Sequence, residues 1–279
     1  MTPADSAPTF VPGLLSGKTA FIAGGTSGIN LAIAHGLAEA GARVAVFSRN
    51  AERVDQAAMA LRAHGGRVEG YVGDVRDFAA IERALGAARE ALGALEIVVS
   101  GAAGNFICPA NQLSPNGFKA VVDIDLLGTF NVLRAAYAYL ARPGASLINI
   151  GAPQSTEAFF GQAHVSAAKA GVDMLTRSLA VEWGREGIRV NGIVPGPIEG
   201  TEGVARLAPT AEIRAAWEQG NPMGRMGTGR EVANVALFLS SPAASYVNGT
   251  IIYCDGGQVL GGARDYRAAW EAQQASGSR

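Results

Sequence analysis

Residues 24–30 read GGTSGIN, and three of these seven residues are glycine. Because glycine has no Cβ, such a segment can turn tightly and let a ligand approach the backbone. The helix-like segment that follows would present its first N–H groups and the positive end of its dipole to an anion. An ordinary turn could also contain these glycines, but their position between a strand and a helix favours a dinucleotide pyrophosphate. The predicted contacts are Gly24, Gly25, Thr26, Ser27, Gly28 and Ile29.

Residues at the ends of the next two candidate strands indicate which dinucleotide binds. Ser48, Arg49 and Asn50 stand where an acidic residue would accept the ribose hydroxyls of NAD. This segment has no carboxylate, and Arg49 can pair with a 2′-phosphate, so we predict NADPH/NADP+. A solvated charge at a strand end is the alternative for Arg49. Asp74 and Val75 follow the third strand, and we predict that Asp74 hydrogen-bonds the adenine edge unless it only caps a helix.

The elements that would position these residues alternate regularly along the chain. Short runs rich in β-branched residues, without strict alternation, indicate strands buried on both faces. Amphipathic segments between them imply right-handed crossovers and an α/β fold with a doubly wound, parallel sheet. We predict one domain with seven strands and helices on both faces. The strands are 19–23, 44–48, 68–72, 97–100, 146–150, 189–194 and 250–253, and the helices include 29–40, 51–64, 79–92, 118–140 and 165–183.

The predicted domain covers residues 14–261, with tails at 1–13 and 262–279. Between the sixth strand and the last helix, residues 199–227 contain Gly, Pro and Met and one helix-like piece, 211–219. Ligands of open α/β sheets bind beyond the carboxyl ends of the strands, so this insert is predicted to be a substrate lid. An ordinary surface loop is the alternative.

Composition excludes several classes of partner. The net charge of −1, with no run of lysine or arginine, argues against nucleic acid and membrane surfaces. Two separated cysteines and three separated histidines predict neither a disulfide framework nor a metal site. Residues 1–12 lack the charged and apolar pattern of a secretory signal, so we expect a cytoplasmic protein.

The glycine cluster, together with 191–198 (NGIVPGPI) and 255–257 (DGG), resembles the short-chain dehydrogenase/reductase family. The resemblance covers about residues 14–261 and implies a single Rossmann-type domain. The resemblance also implies a homotetramer, which is frequent in this family, built on the helices that hold Asp125 and Lys169. Apolar residues occur at suitable spacing on both, although core burial explains them equally well. The residues in these two stripes are Leu126, Phe130 and Leu133, and Val172, Leu175 and Leu179. The further cofactor contacts are Ala102, Ala103, Lys169, Pro195, Gly196, Ile198 and Thr201.

Departures from this family pattern restrict the chemistry. The positions of the catalytic tyrosine and serine have no acidic side chain, and a missing general acid costs about 10²–10⁴ in rate. An ordinary carbonyl reductase should not tolerate that loss. Hydride addition to a double bond conjugated with a thioester differs, because the charge spreads into an enolate that fixed donors can hold. The departures are Asn30 for the third glycine, SGAAG at 100–104 for Asn-Asn-Ala-Gly, Ala152 for serine, Val165 for tyrosine and Asp125 for asparagine, while Lys169 is retained.

Several of these departures are shared with 2,4-dienoyl-CoA reductases, particularly the peroxisomal type. The similar stretches are 102–106 (AAGNF), 113–116 (LSPN), 123–125 (DID), 128–132 (GTFNV) and 195–203 (PGPIEGTEG). His164, five residues before Lys169, and 180–183 (AVEW) are similar too. The resemblance implies NADPH-dependent reduction of a 2,4-dienoyl-CoA to a 3-enoyl-CoA, with hydride added at the far end of the diene. Solvent would then protonate the carbon next to the thioester.

The same resemblance assigns the catalytic and substrate residues. Lys169 would hold the nicotinamide ribose and lend positive charge, and Asp125 would orient Lys169 or a proton-carrying water. Asp123 lies about 200° from Asp125 around a helix, so we expect only one of them to face the site. The resemblance assigns Phe106, Ser114 and Asn116 to the acyl–pantetheine path. Arg76 and Arg206 are candidates for the coenzyme A phosphates, because guanidinium groups suit such oxyanions, and Gln154, Ser155 and His164 are candidate donors to the thioester oxygen. Structural roles are the alternatives: a charge satisfied by a neighbouring helix for Asp125, surface charge for the arginines, core packing for Phe106 and helix capping for His164.

Two other functions are compatible with the sequence. A trans-2-enoyl-CoA reductase, or another short-chain oxidoreductase, would use the same framework. A catalytically silent NADP-binding sensor or scaffold would explain Asn30, Ala152 and Val165 as losses. Retention of Lys169 argues against the sensor, although this lysine could serve cofactor binding alone.

Overall fold

A computed structural model describes residues 10–261. The predicted tail 262–279 and residues 1–9 of the other tail lie outside this range. Within it, seven strands form one parallel sheet in the order β3-β2-β1-β4-β5-β6-β7, so the predicted fold class is confirmed. The strands are β1 Thr19–Ala23, β2 Arg43–Ser48, β3 Val68–Val72, β4 Ile97–Ser100, β5 Ser146–Ile150, β6 Arg189–Pro195 and β7 Ile251–Cys254.

Alternate residues of the buried strands face two separate cores. On one face, Ile22 and Val46 pack with three helices, α1 (Gly28–Glu39), α2 (Ala51–Arg62) and α9 (Gly229–Ser240). On the other face, Phe21 and Phe47 pack with α3 (Phe78–Leu92), α5 (Gly128–Ala136) and α6 (Ala163–Trp183). Burial of both faces explains why the strand segments lack an apolar–polar alternation. The helices are α1 Gly28–Glu39, α2 Ala51–Arg62, α3 Phe78–Leu92, α4 Pro115–Val122, α5 Gly128–Ala136, α6 Ala163–Trp183, α7 Glu202–Leu207, α8 Ala211–Gly220 and α9 Gly229–Ser240.

The segment predicted as one helix over 118–140 is divided. After α4, residues Asp123–Leu127 form a π-helical turn, and α5 follows at Gly128. A π turn shifts the register of the side chains around the helix axis and is frequent at functional sites. This irregularity could not be read from the apolar periodicity, which continues through it.

Strand order reverses between β1 and β4, which are hydrogen-bonded neighbours in the register Ala23↔Ser100. A crevice opens at the carboxyl ends of strands on either side of such a reversal, and ligands bind there in open α/β sheets. The loops after β1, β2, β4, β5 and β6 therefore meet at one edge of the sheet.

Residues 199–227 contain two helices above that edge, α7 and α8. Thr201 and Thr210 cap them by accepting hydrogen bonds from the backbone N–H groups of Val204 and Ile213. The prediction included α8 and missed α7, whose six residues are too few to show a helical period. In the described range, no helix combines the length and hydropathy that a membrane crossing requires.

Candidate active site

The loop between β1 and α1, Gly24–Gly28, has the geometry of a phosphate site, and we call it the phosphate loop. Gly24 has φ +77° and Gly28 has φ +53°, conformations that favour glycine. A Cβ on Gly24 would also meet the backbone nitrogen of Ala102 at 2.8 Å. Ser27, the N-cap of α1, makes no side-chain capping bond, and the first turn contains no acidic residue. The free N–H groups of this turn therefore suit a dinucleotide pyrophosphate.

Polar residues predicted to hold the adenosine end follow β2 and β3. Arg49 is exposed beside the end of β2, and Asn50 caps α2 by accepting from the Arg53 N–H. Asp74 accepts from the Arg76 side chain at 3.0 and 2.6 Å, and this hydrogen bonding lowers the pKa of the Asp74 carboxyl. The alternative that Asp74 caps α3 is wrong, because Asp77 occupies that position and accepts from Ala80.

Asp125 and Lys169 form a buried ion pair, with Lys169 Nζ 3.3 Å from Asp125 Oδ2. The two residues are 1% and 6% exposed. Lys169 also donates to the carbonyl of Ile150 at the end of β5 at 3.0 Å, and Asp125 Oδ1 accepts from the Gly104 N–H at 2.7 Å. Asp125 Oδ2 has no hydrogen-bond partner among the described residues. The pair thus joins the loop after β4 to the end of β5, and Oδ2 has the ion-pair contact with Lys169 as its only polar contact among the described residues.

Asp125 reaches this site from the π turn, whereas Asp123 does not. Thr129 donates to the Asp125 carbonyl at 2.7 Å and hydrogen-bonds Ser100 at the end of β4. These bonds satisfy the turn and hold it against the sheet. Asp123 instead pairs with Lys119 at the surface. The prediction that one of the two carboxylates faces inward is confirmed.

The tyrosine and serine positions of the family contribute no acid. Val165 is 2% exposed and packs with Val121 and Ala168 in a small apolar cluster beside α4. Ala152 follows β5 and starts the short turn Pro153–Ser155. The surroundings of Lys169 therefore lack both hydroxyl groups that the family pattern places beside the carbonyl oxygen of an ordinary ketone.

Phe106 and His164 occupy the wall beside the pair. Phe106 is 39% exposed, and its ring centroid lies 4.4 Å from that of His164. The imidazole is fully buried, neither of its nitrogens has a partner among the described residues, and burial lowers its pKa. Direct contact of His164 with a substrate would therefore require the Phe106 ring to move.

The other predicted substrate residues line the adjoining surface. Ser114 caps α4 by accepting from the Gly117 N–H, so it has a structural role here, and Asn116 is exposed on the first turn of α4. Gln154 Nε2 lies 3.4 Å from Gln162 Oε1, and Gln162 Nε2 donates to the Phe106 carbonyl at 2.8 Å. Gln154 and Ser155 also line a groove of about 650 Å³ between 109–111, 154–161 and the exposed face of α6.

Asp173 was missed by the sequence analysis. It lies one turn after Lys169, is 4% exposed, and its Oδ1 is 3.4 Å from a Cβ built on Gly151 at the end of β5. Burial raises the pKa of its carboxyl, and the Ser155 hydroxyl and the charges of Arg177 and Lys169 oppose that effect. The spacing of four residues from Lys169 was the available signal, since it places both side chains on one face of α6.

Residues 199–227, the predicted lid, contact both groups of loops. Thr201 lies 3.7 Å from a Cβ built on Gly28, and Arg206 bonds the Asn105 carbonyl at 3.4 Å. Glu202 pairs with Arg206 at 3.1 Å and with Arg53 of α2 at 3.0 Å. All three charged side chains are more than half exposed, so these pairs contribute little stability. Their arrangement places Arg206 over the predicted substrate path.

Pro195, Gly196 and Ile198 lead from β6 into the lid. A Cβ on Gly196 would lie 2.8 Å from Asp255 Cα, so glycine allows the close approach of the DGG segment after β7. Ile198 is buried and pairs with Gly227 through an isolated bridge. The structure thus brings these residues to the same sheet edge as the phosphate loop.

Among the described residues, no group of three or more His, Cys, Asp or Glu side chains is arranged to hold a metal ion.

Comparison with known proteins agrees with this geometry. The family profile described as Enoyl-(Acyl carrier protein) reductase matches residues 23–258. The chain is 45% identical to the rat peroxisomal 2,4-dienoyl-CoA reductase [(3E)-enoyl-CoA-producing], covering 90% of this chain and 87% of the rat protein. It is 43% identical to the probable 2,4-dienoyl-CoA reductase [(2E)-enoyl-CoA-producing] of Bacillus subtilis, covering 87% and 97%.

Solved structures agree as well. A short chain dehydrogenase from Bacillus anthracis superposes with a TM-score of 0.78 at 38% identity, covering 87% of this chain and 96% of that one. A putative short-chain alcohol dehydrogenase from Sinorhizobium meliloti gives 0.84 at 32% identity, covering 88% and 98%. The chain therefore belongs to the short-chain dehydrogenase/reductase family, whose fold implies a nicotinamide dinucleotide cofactor.

Proposed function

We propose that this protein catalyses the NADPH-dependent reduction of 2,4-dienoyl-CoA thioesters to 3-enoyl-CoA, an auxiliary reaction of fatty-acid β-oxidation. The observation that carries the proposal is the buried Asp125–Lys169 pair beside a cleft in which Val165 and Ala152 replace the usual acids. The names of the rat and Bacillus subtilis relatives support the same reaction type.

The chemistry suits a cleft without a phenol. The bound cofactor supplies a hydride to the far end of the diene, and the electron pair moves through the conjugated system to the thioester oxygen. A charge spread in this way is stabilised by fixed donors and requires no immediate protonation of oxygen. Protonation next to the thioester then leaves the remaining double bond at the 3-position.

Asp125 and Lys169 have separate tasks in this proposal. The three donors of the Lys169 ammonium allow it to keep its bond to Ile150 and still bind the nicotinamide ribose hydroxyls. Asp125 Oδ2, buried and without a hydrogen-bond partner among the described residues, is placed to hold a water that delivers the proton. A buried ion pair is a weak source of stability, so its presence here supports a functional role.

Arg49 supports the preference for NADPH. Its exposed guanidinium lies after β2, and its charge is close enough to lower the pKa of Asp74. Guanidinium groups bind phosphate through paired, charge-assisted hydrogen bonds. In the proposal, Ser48, Asn50, Asp74 and Val75 complete the adenosine site.

The acyl–CoA path runs between the Phe106 loop and the lid, residues 199–227. Phe106, Ser114 and Asn116 would contact the acyl–pantetheine arm, and Gln154 would face the thioester. His164 would reach the thioester only after the Phe106 ring that packs on it moves. Arg206 already spans from the lid to Asn105 and is placed for the coenzyme A phosphates. Arg76 can join it only by exchanging or sharing its bond with Asp74. Arg206 and Arg76 are therefore the proposed phosphate contacts.

Assembly as a homotetramer is also proposed. Of the apolar stripes on α5 and α6, Leu133, Val172 and Leu179 are buried in the core and are not available to a partner. Phe130 of the predicted stripe is exposed, and it forms an exposed apolar set with other residues of the same helices, which supports association between copies of the chain. Its members are Phe130, Met174 and Val181, with Leu127 of the adjoining π turn.

Location in the cytoplasm also remains a proposal. The rat relative is named as peroxisomal, whereas the other relative quoted comes from a bacterium. Fractionation of the cells that make the protein would test the proposed compartment.

A substrate panel tests the function. Purified protein is mixed with NADPH and, in separate reactions, 2,4-hexadienoyl-CoA, trans-2-hexenoyl-CoA and a simple ketone, while absorbance at the nicotinamide band is followed. We expect oxidation of NADPH with the dienoyl-CoA and a product whose double bond is at the 3-position by NMR. Turnover of the enoyl-CoA alone would replace the proposal with a trans-2-enoyl-CoA reductase, and tight NADPH binding without any turnover would favour the sensor.

The position of the product double bond is a separate outcome. The two relatives quoted differ in the product named, (3E) for the rat protein and (2E) for the Bacillus subtilis protein. A 2-enoyl product would mean that the proton is added at carbon 4, and would contradict protonation by water beside the thioester.

A further inference from the structure

Two departures from the family pattern, Asn30 and Gly101, are in direct contact. Asn30 stands in the first turn of α1, where the family has its third glycine, and Gly101 follows β4. Because β1 and β4 are neighbours, their loops meet, and Asn30 Nδ2 donates to the Gly101 carbonyl at 2.8 Å. One side chain thus ties the phosphate loop and its helix to the loop after β4.

The space at Gly101 is filled by Asn30. A Cβ on Gly101 would lie 2.1 Å from Asn30 Oδ1 and 2.5 Å from Nδ2, far closer than real Cβ atoms approach. Gly101 is not among the glycines with positive φ, so its backbone conformation does not require glycine. Packing against Asn30 is therefore the reason that residue 101 lacks a side chain.

The position of the Asn30 side chain lowers the stability of the folded protein. Asn30 Oδ1 is buried and has no hydrogen-bond partner among the described residues. An unsatisfied buried acceptor destabilises the folded protein. A glycine at residue 30 would remove this penalty, so we expect Asn30 to contribute favourably at the two loops that it joins.

We propose that Asn30 is a positioning residue for the cofactor and that Gly101 is its obligate partner. Relative to the family pattern, the amide side chain has moved from the loop after β4 to the start of α1, and the glycine has moved in the opposite direction. Asn30 holds Ala102 and Ala103, which follow Gly101, in register with the pyrophosphate contacts of the phosphate loop. The inference rests on the dinucleotide site alone and not on the acyl substrate.

A double-mutant cycle tests this exchange. The variants are Asn30→Gly, Gly101→Asn and both together, and the dissociation constant for NADPH is measured by its fluorescence, without acyl substrate. We expect the dissociation constant to rise about tenfold in Asn30→Gly and more in Gly101→Asn, because the latter forces a second side chain into filled space. The double variant should recover most of the wild-type affinity, giving a coupling within the range of about 2- to 150-fold that contacting residues show.

Controls separate positioning from stability. Asn248 lies at the other end of the sheet and also hydrogen-bonds the backbone. Its Nδ2 donates to the Ala180 carbonyl, and its Oδ1 accepts from the Val190 N–H. Asn248→Ala should lower the thermal midpoint and leave NADPH affinity unchanged. Should Gly101→Asn fail to fold, Gly101→Ala with and without Asn30→Gly completes the same cycle.

Two results would overturn the proposal. One is an Asn30→Gly variant that binds NADPH as the wild type does. The other is a double variant whose loss equals the product of the two single losses, since independent sites behave in that way. Because no acyl-CoA is present, a failure of the dienoyl-CoA assay would leave this test unaffected.

Discussion

The proposed cofactor loops after β1 and β2 and the proposed catalytic site after β4 and β5 depend on different parts of the residue, the backbone in one and charged side chains in the other. The phosphate loop depends on backbone conformation, with Gly24 and Gly28 at positive φ and a helix start free of side-chain caps. The pocket depends on two charged side chains, Asp125 and Lys169, buried together between a π turn and a strand end. The first region follows the family pattern in its first two glycines, whereas the second retains only the lysine. The proposed cofactor loops therefore depend mainly on backbone conformation, with Asn30 joining them to the loop after β4, whereas the proposed catalytic pair depends on charged side chains from distant parts of the chain.

Replacing Asp125 should produce the largest effect. Asp125→Asn keeps the volume and can still accept from Gly104, but it loses the charge beside Lys169. If Asp125 holds the proton-carrying water, kcat should fall about 10²-fold or more, as for other lost acid–base groups. NADPH affinity should fall less than kcat, because Lys169, which is proposed to bind the nicotinamide ribose, keeps its bond to Ile150. Steady-state kinetics and cofactor titration on the same preparation measure both.

The control for that prediction lies two residues away. Asp123→Asn makes the same chemical change at the surface, where Asp123 pairs only with Lys119. Its kcat should equal that of the wild type. Equal losses in both variants would show that the π turn as a whole, and not the buried carboxylate, determines the rate.

Arg49→Asp should give the second largest effect, in the cofactor region. A lost hydrogen bond to a charged group costs about 1.5–3 kcal/mol, so KM for NADPH should rise about tenfold to a hundredfold. KM for NADH should fall, because the new carboxylate can accept the ribose hydroxyls. Arg53→Ala, in the first turn of α2, removes an exposed ion pair with Glu202, so KM for NADPH and KM for NADH should both change little. Unchanged NADPH kinetics in Arg49→Asp would place the 2′-phosphate elsewhere.

Two glycine variants test whether the phosphate loop depends on backbone conformation alone. Both Gly24→Ala and Gly28→Ala place a side chain at positive φ, at a cost of about 1–2 kcal/mol. Only the Cβ at Gly24 would also meet the loop after β4, at 2.8 Å from Ala102, whereas nothing lies within 3.7 Å at Gly28. Gly24→Ala should therefore lose more NADPH affinity and more thermal stability than Gly28→Ala. Equal losses would mean that contact between the two loops is unimportant.

The same contrast explains what the sequence could predict. Strand positions and the parallel sheet follow from the apolar periodicity and the alternation of strands with helices, and spacing indicated that Asp123 and Asp125 would not both face the site. The choice of Asp125 came from the family resemblance.

The local bonds of Asp74 and Ser114 were missed although their partners are near in sequence: Asp74 pairs with Arg76 two residues later, and Ser114 caps α4. A serine directly before a proline was the available signal for the cap. Asp173 was missed because a lone acidic residue in an amphipathic helix is usually exposed, and its burial depends on β5 packing against α6.

A pH experiment should detect the smallest difference between the regions. In the pocket, burial raises the pKa of Asp173, so the unfolded chain releases its proton first as the pH rises from about 3.8. The free energy of unfolding then falls until the raised pKa is passed. In the cofactor region, hydrogen bonding with Arg76 lowers the pKa of Asp74, so its contribution is lost as the pH falls below 3.8 towards the lowered pKa. Denaturant unfolding of Asp173→Asn and Asp74→Asn, each compared with the wild type between pH 3 and pH 7, should therefore give differences of opposite slope, and slopes of the same sign would contradict the assigned environments.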